Sequence, residues 1–362
     1  LHFTIHSFPT RRSSDLSVLT EEDGYLIMAN IENPGRGKDI CLIKTDRFGN
    51  TSQPITVIGD VFDDVGYAIN RSNRGFVIVG STREQELADR DILLVLVNAE
   101  ATEATRIISY DVHGMEDVAH DLVVQQNGEI AICGFTETSD RGRNMLLIET
   151  NSQGDIVSMA DQGGFLDDEA LCIIQLSDEY IIAGYRGVQP GDGSQRVKMA
   201  YGFIWGGGNS TAVPFSPEFD RTLNSEIIDI IALNEEEYFM ACHIAETQTT
   251  GSEVRVVRYN IETEANSYLS FGERTHTYAD ELRLEGSTLY LSGTASTTSD
   301  KGDMLIIEAG LNGGNVKYHY QGDGTSYQGH GFALTDDGGF ILTGACFINS
   351  DQSSIVLNKF MP

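Results

Sequence analysis

A short pattern recurs seven times along this chain of 362 residues, at intervals of about fifty residues. Each copy consists of a turn, an apolar run and a small closing residue, as in RGFVIVG at 74–80 and GGFILTG at 338–344. The closing residues are Asn30, Gly80, Gly134, Gly184, Cys242, Gly293 and Gly344. Repetition at a fixed period of this length is typical of a propeller or a solenoid.

The content of one period favours the propeller. Residues 63–110 contain four β-rich runs with short polar connections, and none has the spacing of an amphipathic helix. Four strands in roughly 40–50 residues are typical of one propeller blade. We therefore predict an all-β chain that forms a single seven-bladed β-propeller with four-stranded blades. The predicted blades cover residues 17–59, 60–111, 112–161, 162–219, 220–272, 273–322 and 323–362.

The first sixteen residues do not follow the repeat. Residues 6–16 read HSFPTRRSSDL, which looks like the in-frame translation of a common sequencing adaptor; a transit peptide is the alternative. We therefore expect the native repeat to start near Ser17, and the native N-terminus, with any signal peptide or lipid anchor, to be missing. The last predicted blade has three strand-like runs, so its open edge needs a closing strand. The alternating segment LHFTIHSF at 1–8 is expected to dock weakly there or to be disordered.

The charge balance excludes some partners. Asp and Glu total 54 against 24 Lys and Arg, and the resulting net charge of −30 repels a phosphate backbone, so we expect no nucleic acid. The longest apolar runs, such as residues 92–97, are too short to cross a bilayer. The five cysteines lie in or beside apolar runs without the spacing of a zinc site, so we predict buried packing roles for them. We expect a monomer.

The repeat unit shares further positions. The first copy continues as DICLIKTD at 39–46 and closes with Gly49-Asn50, and residues 336–359 are similar. The chain after Leu16 therefore resembles secreted bacterial β-propeller repeat proteins with the pattern GG[FY]xxxG…DxxLxKTDxxGN. The resemblance implies an exported protein, extracellular, at the cell surface (lipoproteins included) or periplasmic, and it assigns no catalytic residue. The fourth and fifth copies depart from the pattern at Met199, Cys242 and Val254.

Acidic residues recur where the repeats join. In a four-stranded antiparallel blade, the connection between blades and the loop between strands two and three open on the same face. This face receives acidic pairs that include Asp64, Asp117 and Asp168, together with Glu226 and His276. A ring of carboxylates there would bind Ca²⁺ or a cationic ligand, because hard cations prefer several oxygen ligands. The alternative is structural, since an Asp at the start of a strand accepts hydrogen bonds from nearby backbone N–H groups.

Two further groups are candidate site residues. The segment at 187–196 departs most from the repeat, and insertions on one face of a repeat array often bind ligands. Tyr185 and Trp205 lie near it in sequence, as candidates either for stacking on a sugar or for packing between blades. His120 and His330 lie near acidic residues and suit an acid–base pair. The motifs GxSxG, HExxH and GxxxxGK[ST] are absent from the sequence.

We therefore predict a non-enzymatic binding or scaffold module that recognises a carbohydrate or protein ligand through its loop-rich acidic face. No cofactor other than Ca²⁺ is indicated. The alternative is a hydrolase or lyase that acts on a polysaccharide, with a carboxylate and His site at the mouth of the central channel. A piece of a larger surface protein is a third interpretation. Geometry distinguishes the first two, because an enzyme needs carboxylates or His from several blades within one small volume.

Overall fold

The computed structural model describes residues 2–5, 16–33, 37–85, 88–176, 179–189, 196–206, 213–217, 224–247, 251–297, 302–335, 337–349 and 352–360. These residues form β-strands, turns and irregular connections, and no helix occurs among them. The described part of the chain accordingly lacks any helix of the length and apolarity that membrane crossing requires. The predicted all-β class is confirmed.

Residues 16–215 form four separate sheets of four antiparallel strands, and each strand pairs with the next one along the chain. The first sheet contains β2 (Leu16–Glu21), β3 (Gly24–Asn33), β4 (Gly37–Asp46) and β5 (Thr56–Ile58). The second contains β6 (Asp64–Ser72), β7 (Gly75–Thr82), β8 (Asp91–Asn98) and β9 (Ala104–Tyr110). The third contains β10 (Asp117–Val124), β11 (Ile130–Thr138), β12 (Gly142–Thr150) and β13 (Ile156–Gln162). The fourth contains β14 (Asp168–Leu176), β15 (Glu179–Val188), β16 (Val197–Gly206) and β17 (Val213–Phe215).

The later strands are hydrogen-bonded into one larger sheet of eleven strands. Its members are β18 (Asn224–Ala232), β19 (Glu237–Thr247), β20 (Gly251–Asn260), β21 (Asn266–Phe271), β22 (His276–Glu285), β23 (Thr288–Ser296), β24 (Gly302–Gly310), β25 (Lys317–Leu334), β26 (Phe340–Asn349), β27 (Gln352–Phe360) and β1 (His2–Ile5). A single parallel pair, Ser252 with His276, connects β20 to β22. The long strand β25 pairs with β24 through its first half and with β26 through its second. These two joints divide the sheet into three antiparallel groups, which we number fifth, sixth and seventh after the four separate sheets.

The seventh group ends with a strand from the other end of the chain. His2–Ile5 (β1) pairs antiparallel with β27, and the register joins His2 to Val356 and Ile5 to Ser353. The segment that was expected to dock weakly or to be disordered therefore takes the fourth-strand position over these four residues. Residues 6–15, which include most of the adaptor-like stretch, lie outside the described residues.

Strand burial follows from the position of each strand in its sheet. The second strand β7 is buried along nearly its whole length, whereas most residues of the fourth strand β9 are exposed. Unbroken apolar runs such as that of β7 are expected where a sheet is covered on both faces. The sheets are therefore stacked face to face, with their fourth strands outermost.

The apolar core of the described residues is divided into seven clusters, each between two successive groups of strands. One cluster unites Met28 of the first sheet with Ile78 of the second, and another unites Ile27 with Ile341 of the seventh group. First strands also contact the first strands of neighbouring groups, and β2 contacts both β6 and β25. The groups thus close into a ring. All five cysteines are free, and four of them are buried in these clusters, as predicted.

Each first strand from β6 to β22 carries one bulge at the same register. The residue before the bulge pairs with the closing residue of the repeat, as Ala119 does with Gly134. A Cβ at Gly134 would lie 1.9 Å from the carbonyl oxygen of Val118, so the close approach of the two strands requires a glycine there. The bulges turn the residues that follow them towards the axis of the ring.

The first sheet departs by one residue from the predicted repeat. In the strand register of the first sheet, Ala29, and not Asn30, occupies the position that Gly80 occupies in the second sheet. Asn30 is buried and bonds both backbone groups of Gly66 on the second sheet, at 2.9 Å to the carbonyl oxygen and 2.8 Å from the N–H. This side chain therefore links two sheets instead of closing the repeat.

Candidate functional site

The connections between groups and the loops between second and third strands lie on one face of the molecule, as the strand order predicts. At three places a backbone N–H near the start of a third strand donates to a side chain at, or just before, the start of the next group's first strand. These bonds run from Lys38 to Asp63 Oδ1 at 3.0 Å, from Arg143 to Asp167 Oδ1 at 3.3 Å and from Lys198 to Asn224 Oδ1 at 2.9 Å. We call this surface the loop face.

Asp64, Asp117 and Asp168 begin the first strands of the second, third and fourth groups, and all three are buried. Each accepts a hydrogen bond from a backbone N–H of the connection that precedes it. The donors are Asp60 at 2.9 Å, Val112 at 2.7 Å and Gly164 at 2.8 Å, respectively. The arrangement fits the structural alternative, in which each Asp fixes its own connection. A ligand-binding role for these residues stays a prediction.

Glu226 and His276 occupy other positions in the repeat. The residues that match Asp117 in register are Ser225 in the fifth group and Thr277 in the sixth. Glu226 stands one place later than this position, and His276 stands one place earlier. The five acidic and His candidates therefore do not form one ring of equivalent positions around the loop face.

Loop-face side chains of the second to fifth groups form a belt of alternating charge. Arg143 donates to Glu116 Oε2 at 2.9 Å and to Glu169 Oε1 at 2.6 Å. Lys198 donates to Glu226 Oε2 at 3.0 Å. Glu169 is buried, whereas the other members are about a fifth to a third exposed. The charged belt consists of Arg90, Glu116, Arg143, Glu169, Lys198 and Glu226.

Two cations of the belt lie over aromatic rings. The guanidinium carbon of Arg143 is 4.3 Å from the ring centroid of Phe135, and Lys198 Nζ is 3.9 Å from that of Tyr185. Tyr185 is only 3 % exposed, so its ring supports the lysine and offers little free surface to a sugar. The sugar-stacking role predicted for Tyr185 remains untested.

The pKa of Glu116 shows how strongly the neighbouring arginines of the belt stabilise its charge. Burial raises the pKa of a carboxyl group, yet hydrogen bonds and charges from Arg90 and Arg143 hold the pKa of Glu116 below its ordinary value. Arg90 Nε donates to Glu116 Oε1 at 2.8 Å. Glu116 is therefore ionised at neutral pH and keeps both arginines in place.

Trp205 lies far from Tyr185 along the same sheet. It pairs with Tyr180 near the start of β15, whereas Tyr185 pairs with Ala200. The Trp205 side chain is 6 % exposed and its ring is 6.2 Å from that of Phe203 in the cluster between the third and fourth sheets. Its environment is that of a packing residue, and the binding role predicted for it remains untested.

A second set of acidic side chains follows the bulges of the first strands. Each of them accepts a hydrogen bond from a backbone N–H on the first strand of the next group. The bonds join Asp121 Oδ2 to Ile173 at 3.0 Å, Asp229 Oδ2 to Leu282 at 2.7 Å and Glu281 Oε2 to Phe332 at 2.9 Å. We call Asp121, Asp229 and Glu281 the channel carboxylates. They link neighbouring groups around the axis of the ring.

The channel carboxylates are electrostatically coupled to one another. Burial raises the pKa of Asp121 to about 7 and that of Asp229 to about 8, and the charge of Glu281 contributes to both shifts. Sequence reasoning missed these residues. The available signal was an acidic residue inside an otherwise apolar first strand, as in the segments DVAHD and EIIDI.

Asp280 and His330 occupy bulges of neighbouring groups and lie beside the channel carboxylates. Asp280 Oδ2 is 4.0 Å from His330 Nδ1, and the two side chains are 16 % and 9 % exposed. Among the described residues, His330 Nδ1 has no hydrogen-bond partner. Burial, reinforced by Glu281, raises the pKa of Asp280 to about 8, and burial lowers that of His330 to about 4.

The two predicted histidines have acidic neighbours other than the ones nearest in sequence. His330 approaches Asp280, and His120 Nε2 lies 3.7 Å from Glu169 Oε2. The segment at 187–196, predicted as the first place to look for a ligand, lies outside the described residues at 190–195. Parts of the other loops between second and third strands also lie outside the described residues, at 34–36, 86–87, 248–250, 298–301 and 350–351.

Comparisons with known proteins concern the fold. No protein-family model matches the chain, and no curated protein matches its sequence. The β-propeller domain of the Trilobed protease from Pyrococcus furiosus, described as having an open velcro topology, is 11 % identical with a TM-score of 0.53, and the match covers 99 % of this chain and 95 % of that one. An acylaminoacyl peptidase in complex with a chloromethyl ketone matches with a TM-score of 0.56 and 10 % identity over 99 % of this chain. The acylaminoacyl peptidase of Pyrococcus horikoshii matches with a TM-score of 0.53 and 10 % identity over 98 % of this chain.

This chain spans about half the length of each acylaminoacyl peptidase, at 52 % of the chain in both cases. At 10–11 % identity the likeness concerns the fold alone. The chain therefore has a β-propeller fold, as predicted.

Proposed function

We propose that the chain is a single seven-bladed β-propeller that acts as a non-catalytic binding module through its loop face. The seven apolar clusters, each between successive groups of strands, support the count of seven blades. An exported or cell-surface location, implied by the resemblance to secreted repeat proteins, belongs to this proposal, as does a monomeric state.

The charged belt is the observation that carries the proposal. Its side chains project from strands or the residues that flank them, and partners on neighbouring groups hold them, as Glu116 and Glu169 hold Arg143. Partly exposed groups of both charges in fixed positions bind a polar ligand at a low cost in side-chain entropy. The belt is thus suited to recognition without any reaction step.

A protein ligand fits this face better than a carbohydrate. Val61 and Phe165 are exposed on connections of the same face, and Phe165 is 88 % exposed. Exposed aromatic and aliphatic groups beside charged ones are typical of protein interfaces. A sugar needs a free ring face, whereas Tyr185 and Trp205 are almost fully buried.

Peptide and glycan arrays probed with the full chain test the proposal. We expect binding to peptides that falls about tenfold or more in Lys198→Ala, because this change removes an anchor of the belt. The matched control is Arg258→Ala, whose ion pair with Glu237 at 2.8 Å lies on the opposite face. Equal losses in the two variants, or peptide binding too weak to detect, would count against a protein-binding loop face.

A hydrolase is the second candidate, and the Asp280 and His330 pair favours it. Two neighbouring titratable groups with pKa values moved in opposite directions are typical of acid–base sites. Polysaccharide cleavage by the full chain that disappears in Asp280→Asn would support this candidate. Cleavage that is undetectable, or unchanged in this variant, would reject it.

A further inference from the structure

Two polar side chains at the axis of the ring have no hydrogen-bond donor, unlike the channel carboxylates beside them. Asp121, Asp229 and Glu281 each accept a backbone N–H of the next group. Among the residues that the structure describes, none donates a hydrogen bond to Asp280 or to Nδ1 of His330. Buried polar groups without partners are costly, so a ligand that donates to both side chains would be stabilised here.

The gap between these two side chains fits one donor atom. His330 Nδ1 lies 4.0 Å from Asp280 Oδ2, which is too far for a direct hydrogen bond. A single nitrogen that donates to both atoms over about 2.7–3.2 Å spans this separation. The His330 side chain is 9 % exposed and that of Asp280 is 16 % exposed. The ligand would therefore enter beside Asp280 and reach an acceptor that is almost fully buried.

His330 is suited to accept a hydrogen bond from a cation. Burial lowers the pKa of His330 to about 4, so its ring is neutral at neutral pH and does not repel a positive charge. In a neutral imidazole, Nδ1 is an acceptor when the proton is on Nε2. His330 thus supplies a lone pair, and Asp280 supplies the negative charge.

The surrounding charges favour a cation over a water molecule. Carboxylates lie around the axis at Asp121, Asp229, Asp280 and Glu281, and Arg283 is bound to Glu281 by a hydrogen bond of 2.7 Å. Burial, with the charge of Glu281 added, raises the pKa of Asp280 to about 8. Water would satisfy the two acceptors, but only a positive charge also offsets the burial of a carboxylate among other carboxylates.

An ammonium group fits this pair better than a metal ion. Protein zinc sites have three or four side-chain ligands. In the described part of the chain, no third His, Cys, Asp or Glu joins Asp280 and His330 in a group whose ligand atoms lie within 4.8 Å of one another. An ammonium group has three N–H donors, so the pair takes two and water takes the third.

We propose that Asp280 and His330 bind one primary ammonium group at the axis of the ring. The pair then has a binding role in place of the catalytic role that the hydrolase candidate gives it. The ammonium comes from a lysine side chain, whose four-carbon stem reaches into a narrow channel, or from a free alkylamine. For the lysine source the inference rests on the proposed function, because that lysine would belong to the protein ligand of the loop face.

Calorimetry of the full chain with n-butylamine, the analogue of a lysine side chain, tests the site. We expect one amine per chain and an affinity that falls about tenfold or more in Asp280→Asn, which keeps the shape of the side chain but removes its charge. His330→Phe keeps a ring and removes the acceptor, and it should weaken binding about tenfold as well. Asp140→Asn removes an exposed loop-face charge outside the site and should bind like the unchanged chain.

Proton release provides a readout that a purely structural role would not change. Asp280 is mostly protonated at pH 7 and must ionise to bind the amine, so nearly one proton should leave per amine bound. Heats measured in two buffers of different ionisation enthalpy report this number. Amine binding that is absent, that persists in Asp280→Asn, that releases no proton or that 1-butanol matches would overturn the site.

A second arm distinguishes the two sources of the amine. A lysine-containing peptide that binds more tightly than butylamine, and loses this advantage in Lys198→Ala, would identify a protein ligand of the loop face. Equal affinities for peptide and butylamine would identify a free amine as the ligand. Peptide arrays without signal, together with intact butylamine binding, would overturn the proposed function and leave the ammonium site standing.

Discussion

The loop-face aspartates and the channel carboxylates both accept hydrogen bonds from backbone N–H groups, but the donors lie at different distances along the chain. Asp64 and Asp168 accept N–H groups four residues back in the chain, so they fix local connections. Asp121 and Asp229 accept N–H groups 52 and 53 residues ahead, on the next first strand. Local bonds therefore shape the loop face, while long-range bonds hold the ring of strands together.

The two sets of carboxylates also differ in how far their pKa values are shifted from the ordinary value. Burial raises the pKa of Asp64 and Asp168 as well, but hydrogen bonds oppose this shift, from the Thr82 side chain and a backbone N–H for Asp64 and from two backbone N–H groups for Asp168. In the channel, burial and mutual repulsion bring the pKa of Asp229 to about 8. The links between groups therefore depend on pH near neutrality, and those on the loop face do not to the same extent.

The largest expected effect is on pH dependence. Asp121, Asp229 and Asp280 have folded pKa values of about 7, 8 and 8, above the ordinary value of about 3.9. Between these values the unfolded chain has released protons that the fold retains, so the free energy of unfolding falls as pH rises. His330 acts in the opposite direction, but only below about pH 6.5. From pH 6.5 to 8 we expect the free energy of unfolding, measured in urea, to fall by about 4 kcal/mol.

Asp280→Asn should flatten this pH profile, since it removes one of the three shifted groups. Asp64→Asn on the loop face is its control and should leave the slope nearly unchanged. A profile that is flat in the unchanged chain, or one that Asp280→Asn leaves as steep, would contradict the assignment of the slope to the channel.

A smaller effect is expected for Asp229→Ala. The substitution leaves the backbone N–H groups of Ile230 and Leu282 without their acceptors, at 2.8 Å and 2.7 Å in the structure. Each buried donor without a partner costs about 1–3 kcal/mol, so we expect a loss of about 2 kcal/mol in the free energy of unfolding. Measurement at pH 5, where the carboxyl group is protonated, separates this loss from the effect of charge.

The smallest effect is expected for Asp168→Ala. The N–H groups of Gly164 and Gly187 lose an acceptor, but Gly164 lies in a connection where water can replace it, and Gly187 also donates to the backbone carbonyl of Asp167. We expect a loss of about 1 kcal/mol in the same urea titration. A loss larger than that of Asp229→Ala would reverse the comparison between the two sets of carboxylates.

The fold was predictable because its signals are local. Turns, apolar runs and small closing residues indicate strands and their order, and strand order alone places the loops on one face. The one-residue error at Asn30 arose because Ala29 is small but is not a glycine, so the pattern gave no sharp end to the run. Strand register, which depends on pairing across the sheet, corrects it.

The channel carboxylates and the charged belt were not predictable in the same way. A bulge adds one residue without changing the composition of a strand, so the sequence does not indicate that Asp121 and Glu281 turn towards the same axis. Arg143 meets Glu116 and Glu169 from positions 27 and 26 residues away. Such pairs depend on how neighbouring sheets are stacked, which no repeat pattern encodes.

One strand belongs to two groups at once. Lys317–Leu334 crosses from the outer edge of the sixth group to the innermost position of the seventh as one strand, which departs from the extended conformation only around Gly324, where φ is +83°. Its first half is hydrogen-bonded to β24 and its second half to β26, so loosening of one group is transmitted along the strand to the other. This part of the ring should open and reclose as a single cooperative unit of hydrogen exchange, unlike the four sheets before it, which are separated by turns.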